Sequence, residues 1–337
     1  MNISNEKLNQ IANLYRKLES IDSNDLKIIE DWRSTHYIVL TWVRRRITYL
    51  FQDNKDIVVV QRLKRMTTIL DKLIRYKDMR LSSMQDIAGI RIICKDIEHL
   101  NQTFITLTKK HPKQKFNLLK ATDYIEKPKQ SGYRGIHCIF QYDNKGNVNT
   151  EQYDKLRVEV QIRTKIQHLW ATAVEVATFY TQDNLKSSLG NKEWLNFFKL
   201  VADVFSSIEM NQVIDDKNKE ILKILYNQLK VKNILSGVSL ATNIIKNKKK
   251  RKIGIENYVL YLNLDTNYLS LDGYSDFKYA IAEYNKKEQD IKNRGKNNVE
   301  HVVLIPKSNV KHIEKSYQNF FLDTKEFINI IEKYINK

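Results

Sequence analysis

The chain has 337 residues, 57 Lys+Arg against 39 Asp+Glu, a formal net charge of +18 and 42% hydrophobic residues, long enough for two compact domains and too apolar for a disordered chain. No apolar run approaches the roughly 20 residues that cross a bilayer, and the start MNISNEKLNQ has no hydrophobic signal core, so a cytoplasmic protein with no membrane partner is expected. Two cysteines, Cys94 and Cys138, cannot build a disulfide framework or a four-thiolate zinc site, and are expected as core thiols. Part of the charge fits the AT-rich coding background visible in the many Lys, Asn, Ile and Tyr residues; the excess still favours a polyanionic partner such as a nucleotide or RNA.

From Glu6 to about Phe51 apolar positions recur at helical spacing, with Leu8, Ile11, Tyr15 and Leu18 and then Ile28, Ile29, Trp32 and His36 on one side. Residues 56–76 begin β-like and continue as a helix, residues 86–93 (DIAGIRII) form a strand, and residues 96–109 return to helical spacing. A strand over 136–142, a turn signal at Asn144-Lys145-Gly146-Asn147 and a partner strand over 156–162 complete a sheet with helices around it. Helices follow over 166–180, 193–211 and 217–235, and then the run KNKKKRK at 246–252 marks a boundary. Beyond it come a strand at 258–265, a helix at 276–292, a strand at 299–306 and a helix at 323–335 capped by Asp323 with Glu326 three residues on. The fold class is α+β, in four segments: N-terminal helices 1–55, a mixed-sheet core 56–185, a helical connector 186–252 and a small C-terminal α/β module 253–337.

The phosphate-cradling Gly-x-x-x-x-Gly-Lys-Ser/Thr loop, the Gly-x-Ser-x-Gly elbow and the His-Glu-x-x-His zinc helix are all absent, and no histidine is followed by Asp. What remains is charge where a chain usually places apolar residues. Lys64, Thr68 and Lys72 fall on one helical face, with Arg62 two residues before Lys64, an arrangement of cations able to bind a triphosphate. Asp86 opens an otherwise apolar strand and Arg91 sits inside it, while a period of two places Glu159, Gln161 and Arg163 on one face of another. Two carboxylates from different strands among cations would suit a magnesium nucleotide, and simple solvent exposure of a polar strand face is the competing explanation. Residues 123–137 (DYIEKPKQSGYRGIH) offer a basic loop with one ring, Tyr133, for base stacking or for inward packing.

Together these segments resemble the synthetase domain of the RelA/SpoT family, enzymes that move the β,γ-pyrophosphate of ATP to a ribose hydroxyl on a nucleotidyltransferase-like core. The resemblance is carried by Arg62-x-Lys64-x-x-x-Thr68-Ile69-x-x-Lys72 (Thr68 standing where Ser is usual), Asp86-Ile-Ala-Gly-Ile-Arg91, Ser131-Gly132-Tyr133-Arg134-Gly135-Ile136-His137, and Glu159-Val-Gln161-Ile-Arg163-Thr164. It implies that Arg62 and Arg91 sandwich the adenine of ATP, that Lys64, Thr68 and Lys72 hold its phosphates, and that Asp86 and Glu159 carry Mg²⁺. It gives Glu159 the further role of accepting the proton of the attacking hydroxyl. Tyr133 would stack on the acceptor base, with Lys127, Lys129, His137, Gln161 and Arg163 lining the same cleft. Trp170 is expected in the core, since Leu169, Ala173 and Val174 share its helix.

Residues 29–36 (IEDWRSTH), the helix after Gln161, residues 185–198 and residues 315–327 (KSYQNFFLDTKEF) are similar to the fused toxin-antitoxin branch, the CapRel-type toxic small alarmone synthetases. That similarity implies an enzyme restrained by its own C-terminal module, released by a phage-encoded trigger such as a capsid protein, and acting on the 3′-CCA end of tRNA to block translation. The restraining Tyr-x-x-Tyr segment reads Tyr317-Gln318-Asn319-Phe320 here, so the second ring lacks a hydroxyl. Arg44, Arg45 and Arg46 are candidate tRNA contacts. A synthetase using GDP or GTP as acceptor, and a catalytically dead RNA-binding regulator, are the alternatives.

Overall fold

The computed structural model describes residues 3–17, 23–54, 56–64, 66–110, 115–181, 185, 190–212, 216–237, 254–255, 257–263, 266, 268–295, 300–306 and 320–336. Contacts gather the chain into two units, Met1–Lys127 with Arg134–Lys165, and Pro128–Tyr133 with Ile166–Lys337. The N-terminal helices and the sheet thus form one unit, and the boundary expected near residue 252 lies outside the described residues.

In the first unit, helices α1 (Asn5–Arg16) and α2 (Ser23–Leu50) precede strand β1 (Val58–Leu63), helix α3 (Met66–Arg75), a short 3₁₀ turn (Leu81–Ser83), β2 (Ala88–Cys94) and α4 (Ile97–Thr108). Then come β3 (Phe116–Asp123), β4 (Ile136–Tyr142), a second 3₁₀ turn (Val148–Tyr153) and β5 (Arg157–Thr164). The strands order as β1-β2-β5-β4-β3, with β2 and β5 parallel and the other neighbours antiparallel. The expected turn at Asn144–Asn147 does join β4 to its antiparallel partner β5, by way of the second 3₁₀ turn.

Side-chain alternation gives this sheet one apolar and one polar face. Ala88, Ile90, Ile92 and Cys94 of β2, Val158, Val160 and Ile162 of β5, and Ile136, Cys138, Phe140 and Tyr142 of β4 are buried with Val39, Leu40, Val43 and Ile47 of α2 and Leu100 and Leu107 of α4. Both cysteines are in this core as expected; burial alone pushes the Cys138 thiol up to about 12, so it is no thiolate at neutral pH. A second core, of Leu8, Ile11, Ala12, Ile29, Trp32, Ile69, Leu73, Leu81, Met84 and Ile87, ties α1, α2 and α3 to the chain leading into β2.

His36 on α2 is 2% exposed, donates from Nδ1 to the Trp32 carbonyl at 3.0 Å and meets the Trp32 ring edge-on at 4.7 Å. Burial drives its pKa down from 6.5 to about 4, against the raising effect of that hydrogen bond. The folded chain therefore stays unprotonated here while the unfolded chain takes up a proton, and stability falls as pH drops from 6.5 to 4, by up to about 3 kcal/mol. Urea unfolding of the parent and of His36→Gln across that range should show this slope in the parent only. Equal slopes would remove His36 as the acid-sensitive group.

The second unit contains α5 (Lys165–Thr181, from Ile166 on), α6 (Lys192–Glu209), α7 (Asp216–Gln228), helical residues 231–237, β6 (Asn257–Asn263), β7 (Tyr268–Tyr274), α8 (Phe277–Asn293), β8 (Glu300–Pro306) and α9 (Phe320–Ile335). The helix expected over 217–235 breaks after α7, where Lys230 adopts φ 47°. The three strands are antiparallel in the order β7-β6-β8. Lys287 of α8 lies over the Tyr261 ring at 5.7 Å, while Tyr258 and Leu260, on the opposite face of β6, join the core of α5, α6, α7 and α9. Trp170 is in that core, its indole donating to the Phe198 carbonyl at 2.8 Å. Asp323 is not the cap of the last helix. The helix begins at Phe320, and Asp323 is buried with its Oδ2 3.3 Å from His168 Nε2.

Candidate active site

The polar face of the first sheet is set by register. Arg62 pairs with Gly89 and Val60 with Arg91 across β1 and β2, Gly89 with Glu159 and Arg91 with Gln161 across β2 and β5, and His137 with Gln161 across β4 and β5. Paired residues share a face, so Arg62, Arg91, Glu159, Gln161, Arg163 and His137 project together from four adjacent strands. Gly89 makes room among them: a Cβ there would stand 3.6 Å from Arg62 Cγ, so the arginine lies across the bare backbone.

Glu159 is the centre of a hydrogen-bonded row. His137 Nδ1 donates to Oε1 at 2.9 Å, Gln161 Nε2 donates to Oε2 at 2.8 Å, and Arg163 Nη2 donates to Gln161 Oε1 at 2.8 Å. Tyr124 packs edge-on to the His137 ring at 5.1 Å. Burial raises the Glu159 carboxyl, but the His137 bond and charge, the Gln161 bond and the Arg62 charge outweigh it and hold the pKa at about 2. A carboxylate that weakly basic accepts a proton reluctantly at neutral pH, so in this arrangement it acts first as a fixed negative charge. With Nδ1 donating to Glu159, a neutral His137 ring has its acceptor at Nε2.

Beside this row, Asp86 is gripped by two lysines. Lys64 Nζ lies 2.6 Å from Oδ2 and Lys72 Nζ 3.0 Å from Oδ1. Lys64 is 8% exposed, and burial lowers its pKa against the raising pull of Asp86. For Asp86 burial raises the pKa, and the two lysines more than reverse it. Glu159 is close enough for its charge to act on Asp86. The two lysines thus come together through the carboxylate, with Thr68 one helical turn before Lys72 on α3.

The other sequence-derived candidates are spread more widely. Lys127 is exposed. Lys129 and Tyr133 belong to the second unit, where Lys129 Nζ sits 4.9 Å from the Tyr133 ring centre and the ring tilts against Trp170 at 6.3 Å. Tyr133 is half-buried and packs against the core of that unit. Gly132 beside it has φ 89°, and a Cβ there would come within 2.7 Å of the Ala202 methyl. Arg44 and Arg45 are exposed and Arg46 half-buried on α2, whose Val43 and Ile47 face the core. Tyr317, the Phe320 side chain and the basic run 246–252 lie outside the described residues.

Residues 61–184 match the family model described as the region found in RelA / SpoT proteins. The chain carries a RelA/SpoT-type synthetase region. Its enzyme class is accordingly that of a pyrophosphokinase, a transferase. Among curated relatives, the GTP pyrophosphokinase YwaC of Bacillus subtilis is 29% identical over 179 residues, covering 48% of this chain and 81% of the relative. The GTP pyrophosphokinase YjbM of the same organism is 33% identical over 132 residues, covering 38% and 59%. Among solved structures, small alarmone synthetase 1 from Bacillus subtilis bound to its product pppGpp aligns at 26% identity over 50% of this chain and 84% of its own, with a TM-score of 0.41.

The residues of the synthetase region fit a magnesium ion in donor chemistry. Mg²⁺ takes hard oxygen ligands, commonly one or two carboxylates with the substrate's phosphates and water. Asp86 and Glu159 supply two neighbouring carboxylates. Among the described residues no three or more of His, Cys, Asp and Glu gather as a metal cage, which a phosphate-bridged ion does not require. The described residues also hold no helix long and apolar enough to cross a membrane.

Proposed function

We propose that the synthetase region transfers the β,γ-pyrophosphate of ATP to a ribose hydroxyl. The ribose oxygen bonds to the β-phosphorus as the bond between the β-phosphorus and the oxygen bridging it to the α-phosphate breaks, AMP leaves carrying that oxygen, and the hydroxyl proton passes to solvent water. The observation that carries the reading is the lysine-clamped Asp86 set beside a sheet face bearing Arg62, Arg91 and Glu159. Lys64, Lys72 and Thr68 take the phosphates and Arg62 and Arg91 stack on the adenine. Asp86 and Glu159 would hold Mg²⁺, which neutralises charge on the phosphates. Loading ATP then means exchanging the Asp86–lysine contacts for lysine–phosphate ones.

For the acceptor we infer the 3′-CCA end of tRNA, within a self-inhibited toxin of anti-phage defence. Its C-terminal module, including Tyr317 and Phe320, is then the restraint that a phage-encoded protein releases. The net charge of +18 and the exposed Arg44 and Arg45 support an RNA acceptor, because a tRNA needs cationic surface beyond the reacting end. The GTP pyrophosphokinase names of YwaC and YjbM favour a second reading, in which GDP or GTP is the acceptor and the product an alarmone. Incubation with γ-labelled ATP and either tRNA or GDP/GTP, with and without candidate trigger proteins, separates the two: label is expected on tRNA once a trigger is present and absent from guanosine nucleotides. Asp86→Asn should lower transfer to whichever acceptor is used by about 100-fold or more. Label on guanosine nucleotides alone would replace the tRNA reading, and Asp86→Asn activity within threefold of the parent would reject the site.

A further inference from the structure

The family match begins at residue 61, and α1 and α2 lie before it. Both helices nevertheless reach the charged cluster, each through polar side chains that hold backbone. Arg33 of α2 donates from Nη1 to the carbonyl of Lys64 at 3.1 Å. This carbonyl lies just past the last ladder pair of β1, Leu63 with Ala88, where strand pairing no longer supplies a donor. The Lys64 amide is tied on the other side, donating to the Ile87 carbonyl at 2.8 Å. Arg33 is itself aimed by Glu30, whose Oε2 accepts from Arg33 Nε at 2.9 Å while Oε1 takes a second bond from Nη2. One planar group thus forks onto a carboxylate and reaches the lysine's own peptide.

Helix α1 holds the other two members in the same manner. Arg16 Nε donates to the carbonyl of Leu73, next in sequence to Lys72, at 3.0 Å, and its Nη2 donates to the Met79 carbonyl. Asn9 Oδ1 accepts from both the amide and the hydroxyl of Ser82, at 3.2 and 3.1 Å, four residues before Asp86. Beneath these bonds the core of Leu8, Ile11, Ile29, Trp32, Ile69, Leu73 and Ile87 joins the same segments. An apolar core alone leaves neighbouring backbone free to slide along it; directional bonds at Lys64, Leu73 and Ser82 fix where the charged side chains start.

We propose that α1 and α2 are a positioning frame for the phosphate-binding lysines, with Arg33 the residue that sets Lys64. The proposal rests on the reading that Lys64 and Lys72 bind the phosphates of ATP. Arg33 touches no substrate and acts through the Lys64 peptide. Its 21% side-chain exposure keeps the guanidinium out of the deepest core, so its removal leaves no large cavity.

The test is a double-mutant cycle on the full chain, reading the binding of α,β-methylene-ATP with Mg²⁺ by calorimetry; the methylene bridge blocks transfer. Lys64→Ala should weaken binding by about 100-fold, with Lys72 and Thr68 keeping it measurable. Arg33→Ala should weaken it about tenfold in the parent and by less than twofold in the Lys64→Ala background. A residue that only stabilises the fold would show its effect in both backgrounds. If Arg33→Ala does not fold, as judged by thermal unfolding, Arg33→Gln replaces it with the same expected pattern, since Gln is too short to reach the carbonyl. Undiminished loss in the Lys64→Ala background, or no loss in the parent, overturns the frame while leaving the site intact. Lys64→Ala binding equal to the parent's overturns the phosphate reading itself.

Discussion

Glu159→Gln should lower pyrophosphate transfer by about 10²–10⁴-fold while leaving the chain folded, because it removes the charge at the centre of the polar sheet face and keeps the shape. The hydrogen-bond row predicts a small stability cost as well. His137 Nδ1 and Gln161 Nε2 both donate to Glu159, and Gln161 Oε1 is already committed to Arg163. An amide in place of the carboxylate must turn an N–H₂ toward one donor, which costs about 1 kcal/mol. His137→Ala probes the same row by pH. It removes a bond and a charge that hold Glu159 at about 2, so the Glu159 pKa rises. If ionised Glu159 is required, the acidic limb of kcat/KM then moves to higher pH in the variant. An unmoved limb would separate the rate from Glu159 ionisation, and Glu159→Gln activity within threefold of the parent would take the residue out of the site.

Several of these relations were legible in the residues. The alternation through Glu159, Gln161 and Arg163 identified a shared face, and solvent exposure was the fair alternative; the register with β2 and β4 is what brings Arg91 and His137 to the same face. The grip of two lysines on Asp86 was not legible, because it depends on α3 folding back toward the chain before β2. Strand β3 escaped the pattern because its register slips between Leu118 and Lys120, breaking the alternation of an edge strand. Strand β7 escaped because its end, Leu271-Asp272-Gly273-Tyr274, carries the composition of a turn. Asp323 with Glu326 has the spacing of a helix cap, yet the side chain is drawn into a buried contact with His168, more than 150 residues away. No local rule anticipates such a pair.

Phe327→Ala should cost about 3–5 kcal/mol of stability and lower the unfolding of the whole second unit, including α5 and α6. Phe327 is fully buried, 5.5 Å from the Phe205 ring and 6.4 Å from Phe198, both on α6. Ile328, Ile331 and Ile335 of the same helix share that core with Trp170, Val174 and Tyr226. Polar contacts reinforce it: the Tyr226 hydroxyl donates to Glu332 Oε1 at 3.0 Å, and Lys232 Nζ lies at the same distance from that oxygen. A helix built into the core in this way is no detachable appendage, so truncating the chain before α9 would confuse loss of restraint with loss of folding. The point substitution avoids that ambiguity. Thermal unfolding of Phe327→Ala, followed by hydrogen exchange along the chain, should show α5, α6 and α9 losing protection together. Protection lost in α9 alone, with α5 and α6 unchanged, would make the last helix an independent element and overturn its role in the shared core.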